Sequence, residues 1–282
     1  MNDFIFFGTP ELAVTILEEL AAVGLVPSMV VTAPDRAQGR GMRMTAPPVK
    51  TWALERNIPV LQPTDISDEV FLKQLEASTA TVFVLAAYGK ILPERLIAIP
   101  EHGIVNVHPS LLPLWRGPSP IEAQILSDNQ TVGVSIMLID DKMDHGPLLA
   151  QTEIEIDDAD WPLRGSELEN ILAHEGGALL AHVLPLWVNG ETTSTKQDHD
   201  NATYCKLIRK EHGLVNLDDD DPREIFLKVR AYDRWPRAYF FDQHGKRVVI
   251  TEADYVDGKL VIQKVIPEGK KEVSFEAYRA GH

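Results

Sequence analysis

The stretch from Gly103 to Gly117 constrains this chain more than any other. Ile104, Val105 and Val107 are β-branched and apolar, so they read as a short buried strand. Pro109 and Pro113 cannot extend a sheet ladder, so the strand stops at about His108. Asn106 and His108 then stand two residues apart at the strand's carboxyl end, with their side chains on one face. In open α/β sheets, ligands gather just outside that end. An amide there can donate a hydrogen bond to a developing oxyanion, and an imidazole can exchange a proton near neutral pH. Two readings stand on these residues alone: a catalytic pair, or an asparagine that caps a turn beside an interior histidine.

A third group favours the catalytic reading. Thr131 to Ile139 is rich in Val and Ile and reads as a further strand, which runs into the polar turn Asp140 to Pro147. Asp144 in that turn supplies a carboxylate able to orient His108 and share its proton. Three such groups on two strand ends fit an acyl-transfer site.

The strand with Asn106 and His108 belongs to an alternating series. Phe4 to Phe7 reads as a buried strand, followed by Gly8 and a helix to about Val23 with Thr9 as its N-cap and Pro10 at its first turn. Pro27 to Thr32 is the second strand, Val49 to Arg56 a helix and Val60-Leu61 a short strand. Ser67 to Ala77 is a helix capped by Ser67, and Thr81 to Ala86 a central strand. Such alternation predicts an α/β, Rossmann-like domain with a mostly parallel sheet. One glycine after the first strand is not a dinucleotide fingerprint, so NAD binding is poorly supported. Ser119 to Leu126 reads as a helix, Leu148 to Ile156 as a strand, and Arg164 to Val188 as a long covering helix. His174 and His182 on that helix sit among aliphatics and are read as surface or core residues, not metal ligands.

Residues 33–50 form a long segment without apolar periodicity, carrying Arg36, Arg40 and Arg43. A loop of this length is either a mobile surface segment or a functional arm able to engage phosphates. Residues 189–203 are polar and read as a linker. Beyond them, Asp218 to Asp221 precede a helix as a solvated cap. Short strands then recur at 238–241, 247–251, 253–256 and 259–265, which predicts a small OB-like barrel. The expected organisation is therefore a catalytic domain at 1–188, a linker at 189–203 and an OB-like domain at 204–282.

Charge limits the partners. The chain of 282 residues carries a formal net charge of −15, but residues 201–282 hold 15 basic against 14 acidic side chains. The acidic surface of the rest argues against broad, non-specific nucleic-acid binding and leaves room for local basic patches. The single cysteine, Cys205, excludes an intrachain disulfide and a multi-cysteine zinc site. No metal is expected. No stretch is read as long enough to cross a membrane and no charged leader precedes the first strand, so a cytoplasmic protein without a membrane partner is expected.

Asn106, His108, the run Ser110-Leu111-Leu112-Pro113, Arg116-Gly117, Pro120-Ile121 and Asp144 together resemble the signature of the formyltransferases that use 10-formyltetrahydrofolate. Gly8-Thr9-Pro10, Ala202-Thr203-Tyr204 and Trp235-Pro236 extend the resemblance over nearly the whole chain, which is most similar to the members acting on methionyl-tRNA. The resemblance implies an enzyme with 10-formyltetrahydrofolate as co-substrate and charged initiator tRNA as acceptor, acting as a monomer. It implies catalytic roles for Asn106, His108 and Asp144. It further implies a folate pocket at Leu85, Ala86, Ala87, Tyr88 and Gly89, with Ser110, Leu111, Leu112, Pro113 and Asp140. The Gly39-Arg40-Gly41 loop resembles the one by which such enzymes contact the acceptor arm, so Arg36, Arg40 and Arg43 become tRNA-binding candidates. A formyltransferase acting on a nucleotide-linked amino sugar and a formyltetrahydrofolate hydrolase are the alternatives, since both share the central triad. Lys142 and His145 depart from the family, which often has glycine and threonine there; a lysine beside Asp144 either lowers its pKa or narrows the pocket.

Overall fold

The apolar runs anticipated from the sequence pair with one another into a single sheet. The computed structural model describes residues 3–38 and 42–281. In chain order its elements begin β1 (Phe4–Gly8), α1 (Glu11–Ala22), β2 (Met29–Val31), β3 (Arg36–Gln38), β4 (Arg43–Thr45) and α2 (Pro48–Glu55). They continue with β5 (Val60–Leu61), α3 (Glu69–Glu76), β6 (Val82–Ala86), α4 (Glu94–Ile97), β7 (Ile104–His108) and α5 (Pro120–Leu126). Then follow β8 (Val132–Leu138), β9 (Leu148–Ile154), α6 (Gly165–Val188) and α7 (Pro222–Ala231). The last are β10 (Tyr239–Phe241), β11 (Arg247–Val256), β12 (Lys259–Pro267), β13 (Val273–Ser274) and α8 (Phe275–Ala280).

Two compact units emerge. The first holds Met1–Arg116, Gly133–Glu153 and Asn170–Tyr204; the second holds Gly117–Val132, Ile154–Glu169 and Cys205–His282.

The first unit is built on a seven-stranded sheet of order β5-β2-β1-β6-β7-β8-β9. Strands β5, β2, β1, β6 and β7 run parallel, and β8 is antiparallel to β7. The mostly parallel α/β domain is thus as expected. Both faces are covered, which is why the strands are continuous apolar runs instead of alternating ones. On one face Ile5, Phe7, Phe83 and Ile104 pack with Phe71, Leu72 and Leu75 of α3 and Leu96 of α4. On the other lies α6, whose Gly176 lets the helix approach the sheet closely. A Cβ there would stand 2.7 Å from Val107 Cγ1 and 3.1 Å from Val134 Cγ1. Helix α6 is also long and apolar enough, by length and composition, to cross a membrane, contrary to the expectation that no stretch is. Its Leu168, Leu172, Leu180, Val183 and Leu184 are buried within the protein.

Local details differ from the expectations for physical reasons. Helix α1 starts after Pro10 with no side-chain cap, so Thr9 does not serve. Asp68, not Ser67, caps α3, its carboxylate accepting from the Val70 and Phe71 amides at 3.0 Å each. The segment expected to lack structure contains the hairpin β3–β4, with Arg36 opposite Thr45 and Gln38 opposite Arg43. At its base Asp35 is held by Lys50 at 2.8 Å and Gln62 at 2.8 Å. Arg40 lies outside the described residues.

The second unit carries a four-stranded antiparallel sheet of order β10-β11-β12-β13. Its Val248, Ile250, Ala253 and Val265 form a core with Ile225 and Val229 of α7 and Tyr278 of α8. The two strands expected at 247–251 and 253–256 are one strand, β11, with an irregular register around Glu252. The strand order is linear, so the described sheet is an open meander, and the barrel closure anticipated from the strand recurrence is not among its described pairings. The acidic run caps α7 as expected: Asp221 accepts from the Arg223 amide at 2.7 Å and the Glu224 amide at 3.2 Å.

Candidate active site

The site of the first unit forms where β6 and β7 end. Parallel pairing sets Leu85 beside Asn106, and antiparallel pairing sets Met137 of β8 on Asn106's other side. Beyond these strand ends is a cavity of about 290 Å³. Its apolar wall includes Leu85, Ile91, Leu92, Ile97, Met137 and Ile139, and Asn106, Asp140, Lys142 and Asp144 supply its polar groups.

Two residues on from Asn106, His108 is only 4% exposed. Its Nε2 lies 3.1 Å from the Trp115 carbonyl oxygen, and a carbonyl can only accept. The proton therefore sits on Nε2, leaving the Nδ1 lone pair toward Asp144, whose Oδ1 is 3.7 Å away. That separation is too long for a direct hydrogen bond and short enough to stabilise an imidazolium once Nδ1 gains a proton. Burial holds His108 below the ordinary histidine range, opposed by the Asp144 carboxylate and the Trp115 carbonyl and reinforced by the Arg116 guanidinium. His108 is a neutral base with a counter-ion in waiting.

The segment between His108 and Arg116 is fixed from several sides. Ser110 Oγ donates to the Leu114 carbonyl at 2.7 Å, and Ser135 Oγ donates to the Ser110 carbonyl at 2.6 Å. The Leu112 amide donates to Ser135 Oγ, and Gln151 Nε2 donates to the Leu112 carbonyl. Asp144 takes a left-handed conformation (φ +50°). Its loop is held by Gln197, whose Nε2 donates to the Asp144 carbonyl at 2.9 Å and the Gly146 carbonyl at 2.7 Å. Only glycine fits at 146, because a Cβ there would run into the Leu138 carbonyl oxygen.

The structure brings Asn106, His108 and Asp144 together, with Leu85 and Asp140 on the same cavity. Ala86, Ala87 and Gly89 do not line it. Tyr88 points into the core, its ring edge-on to Phe7, and burial pushes its hydroxyl up to about 12. Ser110, Leu111, Leu112 and Pro113 shape the turn after β7 instead of lining the cavity. Arg36 and Arg43 are exposed on the hairpin. Lys142 lines the cavity together with Asp144.

Sequence reasoning missed the wall contributed by residues 90–97 and the part of Gln197 in holding the Asp144 loop. Residues 189–203 read as a linker by composition, yet Thr195 exchanges backbone hydrogen bonds with Leu148 at 2.8 Å and Gln197 is buried. No local pattern signals such long-range contacts. Among the described residues no cluster of His, Cys, Asp and Glu is arranged to hold a metal.

Asn106 and His108 at the end of β7, with Asp144 in the loop after β8, are grouped beside a largely apolar cavity, the arrangement expected of a formyl-transferring enzyme. The formyl transferase family profile matches residues 3–184, and the chain belongs to that family. It is 43% identical over 264 residues to the methionyl-tRNA formyltransferase of Chloroflexus aurantiacus, covering 93% of this chain and 84% of that one. Against the methionyl-tRNA formyltransferase of Herpetosiphon aurantiacus the identity is 38%, over 98% of this chain and 97% of that one. Its fold matches an N-formyltransferase from Helicobacter canadensis solved with folinic acid and dTDP-3-aminofucose. There the TM-score is 0.66 at 17% identity, covering 97% of this chain and 99% of that one.

Proposed function

We propose that this chain moves the formyl group of 10-formyltetrahydrofolate onto the amino group of methionine esterified to initiator tRNA. The observation that carries the reading is the neutral, buried His108 whose free Nδ1 faces Asp144 at 3.7 Å. The identity to curated methionyl-tRNA formyltransferases over most of both chains supports the acceptor. An apolar cavity with Asn106, Asp140 and Asp144 at its polar edge suits a flat heteroaromatic folate ring.

The chemistry follows from the side chains. The neutral amine attacks the formyl carbon, and the C–N bond to the folate nitrogen breaks. His108 Nδ1 receives the amine's proton, Asp144 stabilises the imidazolium, and the proton passes to the departing folate nitrogen. Asn106 donates its amide to the oxyanion that forms between these steps. No covalent enzyme intermediate is needed.

Arg36, Arg40 and Arg43 supply phosphate contacts to the acceptor arm, and the antiparallel sheet within residues 204–282 adds further RNA contact. The enzyme works as a cytoplasmic monomer, without metal. The test is direct: purified protein, formyl donor, and either Met-charged initiator tRNA or a nucleotide-linked amino sugar. Formylation of the tRNA alone is expected. Turnover only with the amino sugar, or only hydrolysis of the donor, overturns the reading.

A further inference from the structure

Two aromatic rings beside the catalytic dyad share one anchor. Arg116 is 1% exposed, and four of its five N–H donors are committed within the unit. Nε and Nη2 donate to Gln197 Oε1, at 3.1 and 2.6 Å. Nη1 donates to the Tyr204 hydroxyl at 3.2 Å, and Nη2 to His199 Nδ1 at 2.9 Å. A guanidinium can only donate, so His199 accepts on Nδ1 and carries its proton on Nε2. The His199 ring stacks on His145 with centroids 3.9 Å apart and planes 5° from parallel. His145 is itself tied to Asp140 Oδ2 at 2.6 Å. Despite these ties both Arg116-bound rings face solvent: Tyr204 is 65% exposed and His199 is exposed.

The location is as informative as the geometry. Arg116 directly follows Trp115, whose carbonyl takes the His108 proton, and His145 directly follows Asp144. Yet none of Arg116, His145, His199 and Tyr204 lines the cavity that Asn106 and Asp144 border. The dyad is therefore bordered by an apolar cavity and, separately, by a pair of pinned, exposed rings. The acceptor proposed above presents unpaired nucleotides at the end that carries the aminoacyl ester, and unstacked bases are held by aromatic and histidine rings.

We propose that His199 and Tyr204, pinned by Arg116, form a stacking platform for the unpaired terminal nucleotides of the aminoacylated RNA. The proposal rests on the tRNA reading. Arg116 itself is not a phosphate contact, since it is buried and four of its five donors are taken. Partial desolvation by its packed neighbours, then the charges of His145, Arg116 and Lys142, hold His199 below the ordinary histidine range, with Asp140 opposing.

The experiment measures KM for Met-charged initiator tRNA at several salt concentrations, in the parent and in Tyr204→Leu, Tyr204→Phe, His199→Ala and His199→Phe. Loss of either ring should raise KM about 5- to 150-fold, while the Phe variants, which keep the ring and lose only its hydrogen bond to Arg116, should lie between the parent and the ringless variants. Because stacking releases no counterions, the salt slope should be unchanged. Folate binding by each variant reports an intact first unit; should His199→Ala lose it, the exposed Tyr204 variants carry the comparison. The platform is overturned if Tyr204→Leu keeps the parent's KM, or if KM rises with a salt slope reduced by about 0.7 or more, which marks a phosphate contact. A parent that fails to formylate charged tRNA refutes the acceptor reading instead, and the two failures are distinguishable.

Discussion

The two sheets of this protein are built on opposite plans. Every residue of β7 is buried, from Ile104 to His108, whereas β12 alternates between exposed and half-buried positions from Lys259 to Gln263. A sheet covered on both faces strips water from polar groups at its strand ends, which is how a histidine comes to be held neutral. A sheet with one face in solvent cannot do this, but it offers surface. Under the proposed function, the chemistry belongs to the first unit, and the second adds surface for contact to that which the first already offers.

Breaking the first plan should have the largest effect. Asn106→Ala, His108→Ala and Asp144→Ala should each lower kcat by about 10²- to 10⁴-fold while folate binding changes little. Single-turnover rates with saturating donor and tRNA check this; a variant near parental turnover removes its residue from the mechanism.

The second plan is probed by Ile250→Ala, in the core under the antiparallel sheet. It should cost about 2–5 kcal/mol of that unit's stability, read by denaturant unfolding. Folate binding should persist where the unit has melted, if the division of labour is right. A smaller effect is expected from Arg40→Ala. Removing one phosphate contact should weaken tRNA binding and flatten its salt slope by about 0.7–0.9. Titration at two salt concentrations checks it, and an unchanged slope leaves Arg40 without a phosphate role. Cys205→Ser should be nearly silent: the Ser119 amide donates to its Sγ at 3.2 Å, a contact a hydroxyl can keep. Inactivation of the parent by a thiol reagent, prevented by folate, would contradict this.

The sheet and the clustering of Asn106, His108 and Asp144 were legible because each left a local mark. The β-branched run before Pro109 marks a strand and its end, and the polar turn after Ile139 marks the loop of Asp144. The hairpin at 36–45 left none, since its three-residue strands hold no apolar alternation and exist through pairing with each other. The cavity wall was hidden for another reason: periodicity tells that Leu92, Ile97 and Met137 are apolar, not that they face a void together. Gln197 and His199 sit in a polar stretch whose composition suits a linker. Only the folded chain shows that Gln197 holds Asp144 and Gly146 by their carbonyls.

The central claim is that His108 acts as a neutral base whose basicity Asp144 raises, and the pH dependence of kcat tests it most directly. Burial lowers the His108 pKa below 6.5 and the Asp144 carboxylate opposes that shift. With the ionisation of the substrate amine divided out, the remaining acid limb should therefore lie below about 6.5, where the base is protonated. The same sign holds for stability. The contribution of neutral His108 is complete above the unfolded value and is lost as pH falls through the folded one. In Asp144→Asn the opposing carboxylate is gone, so kcat should drop and its acid limb should move to lower pH. An acid limb that stays in place or moves upward contradicts the account.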